Sequence, residues 1–313
     1  MHIAQIGLGR VGRPTAYAIM CAGLADTLTV CDTKPRLAAA YAEELKHVTA
    51  SIQLEVDINS CDQDEKVSGA DIILISAGEP RAPGVKMSRR DLSIQNARIV
   101  RYVSEATARR NPDAKYIVIT NPVDAMAMVC KKYTRAGFVI SAGTNLESLR
   151  FRSKLAQTFE VHHSEVEGWV GGEHGDAAIP LWSTTKIRNS PADEYANSVH
   201  MKLPKDEVAT YVKSVSKFVV DIIGGTEYGP AASFRDITRA ITKNTNEILS
   251  VAVPLTFEGI PEPVFVGAPT RLGRSVVSSL YDSLSLVEKE ALGDAAKTIF
   301  QTYQTAIQNL EQC

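Results

Sequence analysis

Short apolar runs alternate with amphipathic stretches from the first residues onward. HIAQIG at 2–7 reads as a strand, and 13–24, with small and apolar residues on one face, reads as a helix. TLTVCD at 27–32 predicts a second strand and 35–47 a second helix. Further strands are expected at 52–58, 71–76 (DIILIS) and 115–119 (KYIVI), with a long helix over 91–109 between the last two. DIILIS and YIVI lack the polar alternation of a strand with one wet face. They suit central parallel strands, covered on both faces and joined by right-handed helical crossovers. The expectation for this half is an α/β arrangement around a doubly wound parallel sheet.

Near Gly143 the rhythm changes. A helix is expected over 145–159, less regular strands at 163–170 and 177–184, and long helices over 205–224 and 231–248. Strands at 250–257 and 263–266 precede a closing helix from 286 to 310, whose start carries the capping-box pattern Ser285-Leu286-Val287-Glu288. The chain thus divides into 1–143 and 144–313, the second part an α+β domain. A length of 313 residues suits two domains and leaves enough core to fold without metal or disulfide staples. The charges, 34 Lys and Arg against 36 Asp and Glu for a net of -2, argue against a nucleic acid as the main partner. Cys21, Cys31, Cys61, Cys130 and Cys313 are odd in number and widely spaced, with no CxxC pair or Cys/His cluster. They predict reduced thiols, a cytoplasmic location and no metal site. With no basic leader and no apolar run approaching a span of about 18 residues, neither secretion nor membrane insertion is expected.

The first strand runs straight into Gly7-Leu8-Gly9-Arg10-Val11-Gly12 and then a helix. In that setting Gly7 permits the tight turn, Gly9 lets the backbone approach a pyrophosphate, and Gly12 lets helix and strand pack closely. Asp32, twenty residues after Gly12 and at the end of the second strand, can accept hydrogen bonds from an adenine-ribose diol and would repel a 2′-phosphate. The reading is a Rossmann sheet that binds NAD in preference to NADP, with Lys34 and Arg36 nearby softening the preference. FAD or an S-adenosyl donor could use a similar turn, so the chemistry must come from elsewhere in the chain.

AGEPRAPGVKMSRRDL at 77–92, ITNPVD at 119–124, GTNLESLRF at 143–151 and GGEHGDAAIP at 171–180 supply it. In this order behind the glycine-rich turn, they resemble the family of lactate and malate dehydrogenases over essentially the whole chain. The likeness is strongest to the lactate-dehydrogenase-like malate enzymes. The resemblance implies a Rossmann domain followed by an α+β substrate domain, NAD as cofactor, and a homo-oligomer, for which a tetramer is expected. It also implies that His174 is the proton donor and acceptor, a role suited to a group that titrates near neutrality. His2, His47, His162, His163 and His200 lack such a setting and read as structural or surface residues.

Where the family pairs its histidine with an aspartate, this chain has Glu147, which keeps the charge and adds a methylene. Arg150 matches the arginine that clamps the substrate α-carboxylate through two parallel hydrogen bonds. Asn121, before Pro122 at the end of a central strand, matches the residue that orients substrate and nicotinamide, and the family's following peptide bond is often cis. In the 78–90 loop, Arg81 falls at the position that is arginine in malate enzymes and glutamine in lactate enzymes, and Arg89 matches the arginine that polarises the ketone. Arg90 is the alternative to Arg89, because Val85 and Lys86 add two residues between Gly84 and that arginine. Thr226 either walls the substrate pocket or serves only to end a helix, and Arg235, Arg239, Arg271 and Arg274 carry no assigned role. The implied reaction is reversible, NAD-dependent oxidation of (S)-malate to oxaloacetate, with no metal. A lactate or broad-specificity 2-hydroxyacid dehydrogenase is the nearest alternative, and a non-catalytic nucleotide-binding regulator a remote one.

Overall fold

Ile72, Ile73, Leu74 and Ile75 are wholly buried, and their strand lies in the middle of a parallel sheet. In the computed structural model residues 1–79 and 89–312 are described, Arg89 and Arg90 by their backbone alone. The parallel strands are β1 (His2–Ile6), β2 (Thr27–Cys31), β3 (Asp57–Cys61), β4 (Ile72–Ile75), β5 (Lys115–Val118) and β6 (Val139–Ser141), ordered β3-β2-β1-β4-β5-β6 in space. Helices α1 (Gly12–Cys21), α2 (Leu37–Ile52), α3 (Arg89–Ala108) and α4 (Val123–Thr134) join them. Along β4, Ile72 and Leu74 enter one apolar cluster and Ile73 and Ile75 the other, as the two-residue period of a strand demands. Full burial of each such side chain contributes about 1.5–3 kcal/mol. The strand order reverses between β1 and β4, the place where an open α/β sheet leaves a ligand crevice beyond its C-terminal strand ends.

The second half begins with α5 (Asn145–Thr158) and continues through β7 (Val166–Glu167), β8 (Val170–Gly172), β9 (Ala178–Pro180), β10 (Lys186–Ile187), β11 (Ser190–Pro191) and α6 (Ala192–Ser198). Then come α7 (Lys205–Ile223), α8 (Tyr228–Lys243), β12 (Glu247–Leu255), β13 (Val264–Leu272), β14 (Val276–Ser279) and α9 (Leu286–Glu311). β12 pairs antiparallel with β6 through Ala252 and Ser141, and with β13 along its whole length. β8 and β9 extend the same sheet beyond β13. One sheet therefore runs without a break from the doubly wound half into the α+β half. This is the fold class that the hydrophobic pattern predicts.

Several boundaries differ from the expectations. The strand read at 52–58 lies at 57–61, because α2 continues to Ile52 and stops at Gln53, which takes the left-handed conformation (φ 53°). The helix read over 231–248 ends at Lys243, where Asn244 (φ 52°) caps it and frees Glu247 to start β12. The strand read at 163–170 divides into a 3-10 turn over His163–Glu165, β7 and β8, and that read at 177–184 shortens to β9 before a second 3-10 turn. β13 is longer than the 263–266 expected, and α4, β6 and β14 were not anticipated at all. In α4 every residue from Val123 to Cys130 is buried, so no polar face marks the helical period. The capping box is formed: Glu288 N–H donates to Ser285 Oγ, and Ser285 N–H donates to Glu288 Oε2 at 3.0 Å.

Gly12 sets the approach of α1 to the sheet, since a Cβ there would lie 1.9 Å from Gly7 O and 2.7 Å from Ser76 Oγ. Gly12→Ala is expected to lower stability by more than the roughly 1–3 kcal/mol of ordinary overpacking. Thermal unfolding of the two proteins checks this, and an unchanged midpoint would contradict the packing described.

Candidate functional site

β1 ends in Gly7, whose positive φ of 87° and close approach to Ala77 leave no room for a side chain. Its N–H donates to Cys31 O at 2.9 Å, closing the turn onto the end of β2. A Cβ at Gly9 would meet nothing within 4 Å, so its backbone is bare towards the cleft. Asp32, just past β2, accepts Leu8 N–H at 2.8 Å on Oδ2 and Lys34 N–H at 2.9 Å on Oδ1. A carboxylate has about four acceptor positions, so Asp32 keeps capacity for a diol while it pins the turn. Bare backbone amides at the start of α1, with an acidic residue beside them, fit the pyrophosphate and ribose of a dinucleotide. Arg10, inside the turn, donates from Nη1 to Ile223 O (3.0 Å) and Glu227 Oε1 (2.7 Å), tying the turn to the α7–α8 connection that holds Thr226.

The opposite end of the cleft is assembled where the two halves meet. Glu147 sits in the first turn of α5, where the helix dipole favours a negative charge, and Arg150 follows three residues later. Ser148 Oγ donates to Thr144 O (2.8 Å) and accepts Val170 N–H (2.9 Å), which holds β8 against the start of α5. Chain leaving β8 then brings His174 over Glu147. The imidazole Nδ1 lies 3.1 Å from Glu147 Oε1 and 3.2 Å from Oε2, and Arg150 Nη1 is 3.3 Å from Oε1. Since a carboxylate only accepts, Nδ1 carries the proton and Nε2 is left for the cleft. The backbone of His174 is fixed separately: its N–H donates to Asp124 Oδ2 at 3.0 Å, while Ser141 Oγ donates to Asp124 Oδ1 at 2.6 Å.

These contacts set the charges. Glu147 is the chief cause of a rise in the His174 pKa to about 9, against the downward pull of burial. Burial pushes Glu147 upward, but the facing imidazolium and Arg150 outweigh it and hold the carboxyl below its ordinary value. Burial pushes Asp124 up to about 6, with its hydrogen bonds from Ser141 and His174 opposing. The His174 side chain is 26% exposed at the cleft floor, desolvated by its surroundings yet within reach of a ligand.

One cleft of about 1600 Å³ is lined by Gly7, Gly9, Asp32, Asn121, Glu147, Arg150, His174 and Thr226, and Gly12 packs behind Gly7. The Asn121–Pro122 peptide bond is cis. Arg81 lies outside the described residues, as do the side chains of Arg89 and Arg90; the backbone of Arg89 begins α3. Lys34 also lines the cleft, while His162 caps a 3-10 turn and His2 bonds Gly69 O and Thr29 Oγ1. Among the described residues, no group of three or more His, Cys, Asp or Glu is arranged to hold a metal ion.

Sequence reasoning missed Asp124 and Asn96. Asp124 stood in the quoted ITNPVD, where a carboxylate at a helix start is an ordinary sight. Asn96, buried in α3, accepts Glu79 N–H on Oδ1 (2.7 Å) and donates from Nδ2 to Asn121 O (2.6 Å), so it staples the approach to the 78–90 loop to the Asn121 corner. No motif marked it.

A dinucleotide cradle at one end of a cleft and a histidine, carboxylate and arginine at the other define an NAD-dependent oxidoreductase of small 2-hydroxyacids. The chain belongs to the lactate/malate dehydrogenase family. Its residues 1–137 match the NAD binding domain of that family and 144–309 its alpha/beta C-terminal domain. The malate dehydrogenase of Sulfolobus acidocaldarius is 36% identical over 312 residues, covering 100% of this chain and 99% of that protein. An L-lactate dehydrogenase of a Thermoanaerobacter species is 33% identical over 308 residues, covering 96% and 98%. Among solved structures, a lactate dehydrogenase from a Medee basin deep-sea metagenome superposes with a TM-score of 0.91 at 25% identity, over 97% of this chain and 98% of that one. Relatives thus divide between the two substrates.

The Glu147–His174 pair predicts a pH dependence. The imidazolium is present below about pH 9 and lost above it; with His174 as the base of hydroxyacid oxidation, as proposed below, kcat/KM in that direction should gain as pH rises through about 9. Glu147→Gln removes the supporting charge and leaves the burial, moving that profile down by about two pH units or more. An unmoved profile would show that Glu147 does not hold the proton in place. Asp124→Ala leaves the His174 N–H and the Ser141 hydroxyl without their acceptor. It should cost about 1–3 kcal/mol of stability and about tenfold or more in kcat, with NADH affinity kept. Calorimetry with steady-state kinetics checks this, and a fully active Asp124→Ala protein would contradict it.

Proposed function

We propose that the protein interconverts (S)-malate and oxaloacetate with NAD. The observation that carries the chemistry is His174 held by Glu147 beside Arg150, in the same cleft as the Gly7–Gly12 turn. Gly7, Gly9 and Gly12 with Asp32 hold the dinucleotide, and when bound it supplies a hydride carrier to the substrate carbon. Arg150 binds the α-carboxylate; one of its five N–H donors faces Glu147, leaving a planar pair for the substrate. In the reducing direction His174 gives the Nε2 proton to the ketone oxygen while Nδ1 stays on Glu147. In the oxidising direction it takes that proton back. Asn121 orients the oxygen, Arg89 stabilises charge that develops on it, and Thr226 walls the pocket.

The choice of malate rests on Arg81, which can pair with the distal carboxylate of a four-carbon diacid and would face pyruvate without a partner. The Sulfolobus relative, similar along the whole chain, supports the same reading. The two added residues, Val85 and Lys86, favour the second reading, a looser enzyme that also accepts pyruvate. Assembly as a homotetramer belongs to the proposal; the exposed Phe218, Ile222, Ile223 and Tyr228 near the α7–α8 connection support association with further copies. A cytoplasmic setting is supported by the free thiols of Cys21, Cys31, Cys61 and Cys130. Among the described residues no helix is long and apolar enough to cross a membrane.

Parallel NADH-oxidation assays with oxaloacetate and pyruvate test the substrate choice. The expected result is a higher kcat/KM for oxaloacetate, reversed or levelled in Arg81→Gln by about 100-fold in the ratio. A wild-type preference for pyruvate would replace the malate reading with the lactate one.

A further inference from the structure

Cys31 and Cys61 are direct register partners at the C-terminal ends of the parallel strands β2 and β3. Neighbouring strands lie about 4.8 Å apart, inside the window of roughly 4.4–6.8 Å between Cα atoms that a disulfide spans. Both side chains leave the sheet on the same face: Cys31 is a wholly buried member of one apolar cluster, and the partly exposed Cys61 packs against that cluster. β3 is the edge strand, held in the sheet by β2 alone among the described residues, so small adjustments there meet little resistance. Each thiol acts on the other across the two strands, lowering the Cys61 pKa and raising that of Cys31, which makes Cys61 the better nucleophile of the two.

The pair is wired to the cofactor cradle. Cys31 O accepts the Gly7 N–H at 2.9 Å, Cys61 O accepts the Asp32 N–H at 3.2 Å, and Cys31 Sγ donates to Asp64 Oδ1 at 3.4 Å. Asp32 and Asp64 both line the cleft. A covalent bond between the sulfurs takes the donor from the buried Asp64 carboxylate and pulls on the two carbonyls that hold Gly7 and Asp32.

We propose that Cys31 and Cys61 form a reversible dithiol–disulfide site at the adenosine end of the cofactor cleft, and that its oxidation by hydroperoxides weakens dinucleotide binding. The Cys61 sulfur attacks the peroxide, breaking the O–O bond and releasing water (or an alcohol) as it becomes a sulfenic acid. The Cys31 thiol then displaces the hydroxyl, forming the S–S bond and releasing water, with its proton carried away on that water. The peroxide is reduced by two electrons and two thiols are oxidised to one disulfide. A dithiol reductant reverses the change. The site needs no substrate and is read through cofactor binding, so it stands or falls independently of the choice between malate and lactate.

The test treats the purified wild-type protein with hydrogen peroxide, digests it with trypsin, and measures the NADH dissociation constant by fluorescence before and after. Expected is a link between the peptides 11–36 and 47–66, placed by fragmentation on Cys31 rather than Cys21 and removed by dithiothreitol. Expected with it is a rise of about fivefold or more in the dissociation constant, also reversed by dithiothreitol. Cys61→Ser should keep its NADH affinity through the same treatment. The proposal is overturned if Cys61 advances to sulfinic acid without a link, if the linked protein binds NADH as before, or if Cys61→Ser loses affinity on oxidation as the wild type does. Should Cys61→Ser fail to fold, the mapped link together with the reversible change in NADH affinity of the wild-type protein decides the matter.

Discussion

A positively charged ring partly buried in a cleft is costly unless an opposite charge stands against it, and the His174–Glu147 contact is what meets that cost. Glu147 is nearly inaccessible, so it too needs its partners, and it finds them in His174 and Arg150. Each of these groups would be expensive alone. Their separations are 3.1–3.3 Å, and the carboxylate engages the Nδ1 side of the ring, which leaves Nε2 facing the cleft. The extra methylene of glutamate is accommodated without loss of contact, both of its oxygens lying within reach of Nδ1.

The geometry behind that contact is supplied by the seam between the halves. β6 belongs to the doubly wound sheet, yet Ser141 at its end pairs with Ala252 of β12 and bonds Asp124 at the start of α4. Asp124 in turn holds the backbone of His174, which comes from the other half. The first turn of α5 grows from the same junction and is buttressed by Ser148 against β8 and by the Asn145 to Ser233 hydrogen bond against α8. Two carboxylates with different duties thus meet at one histidine: one fixes the main chain, the other sets the charge of the ring. Their environments differ accordingly, Asp124 being raised by burial and Glu147 held low by the cations beside it.

Much of this arrangement is legible in the sequence because strong local signals coincide with the residues that line the cleft. The glycine-rich turn, DIILIS and Asp32 carry their structural meaning in spacing alone, and the GEHGD and LESLRF segments point to His174, Glu147 and Arg150, which the fold brings together. What stayed hidden has physical reasons. α4 is buried all round and shows no period; α2 and α8 end on left-handed Gln53 and Asn244, residues that are common anywhere in a chain. Asp124 and Asn96 act through backbone groups remote in sequence, and such partners are fixed by tertiary packing. The pairing of Cys31 with Cys61 likewise emerges only from the strand register. Wide spacing along the chain hides that adjacency, although both cysteines are free thiols as the sequence suggests.

The protonation of His174 is tested most directly by its own titration. Following the imidazole resonances by NMR, with His174→Asn identifying the signal, should give a transition near pH 9 in the uncomplexed protein, held there by Glu147. A midpoint at or below the ordinary 6.5 would mean that burial outweighs the carboxylate, and that the pair at the centre of the cleft does not keep the proton loaded.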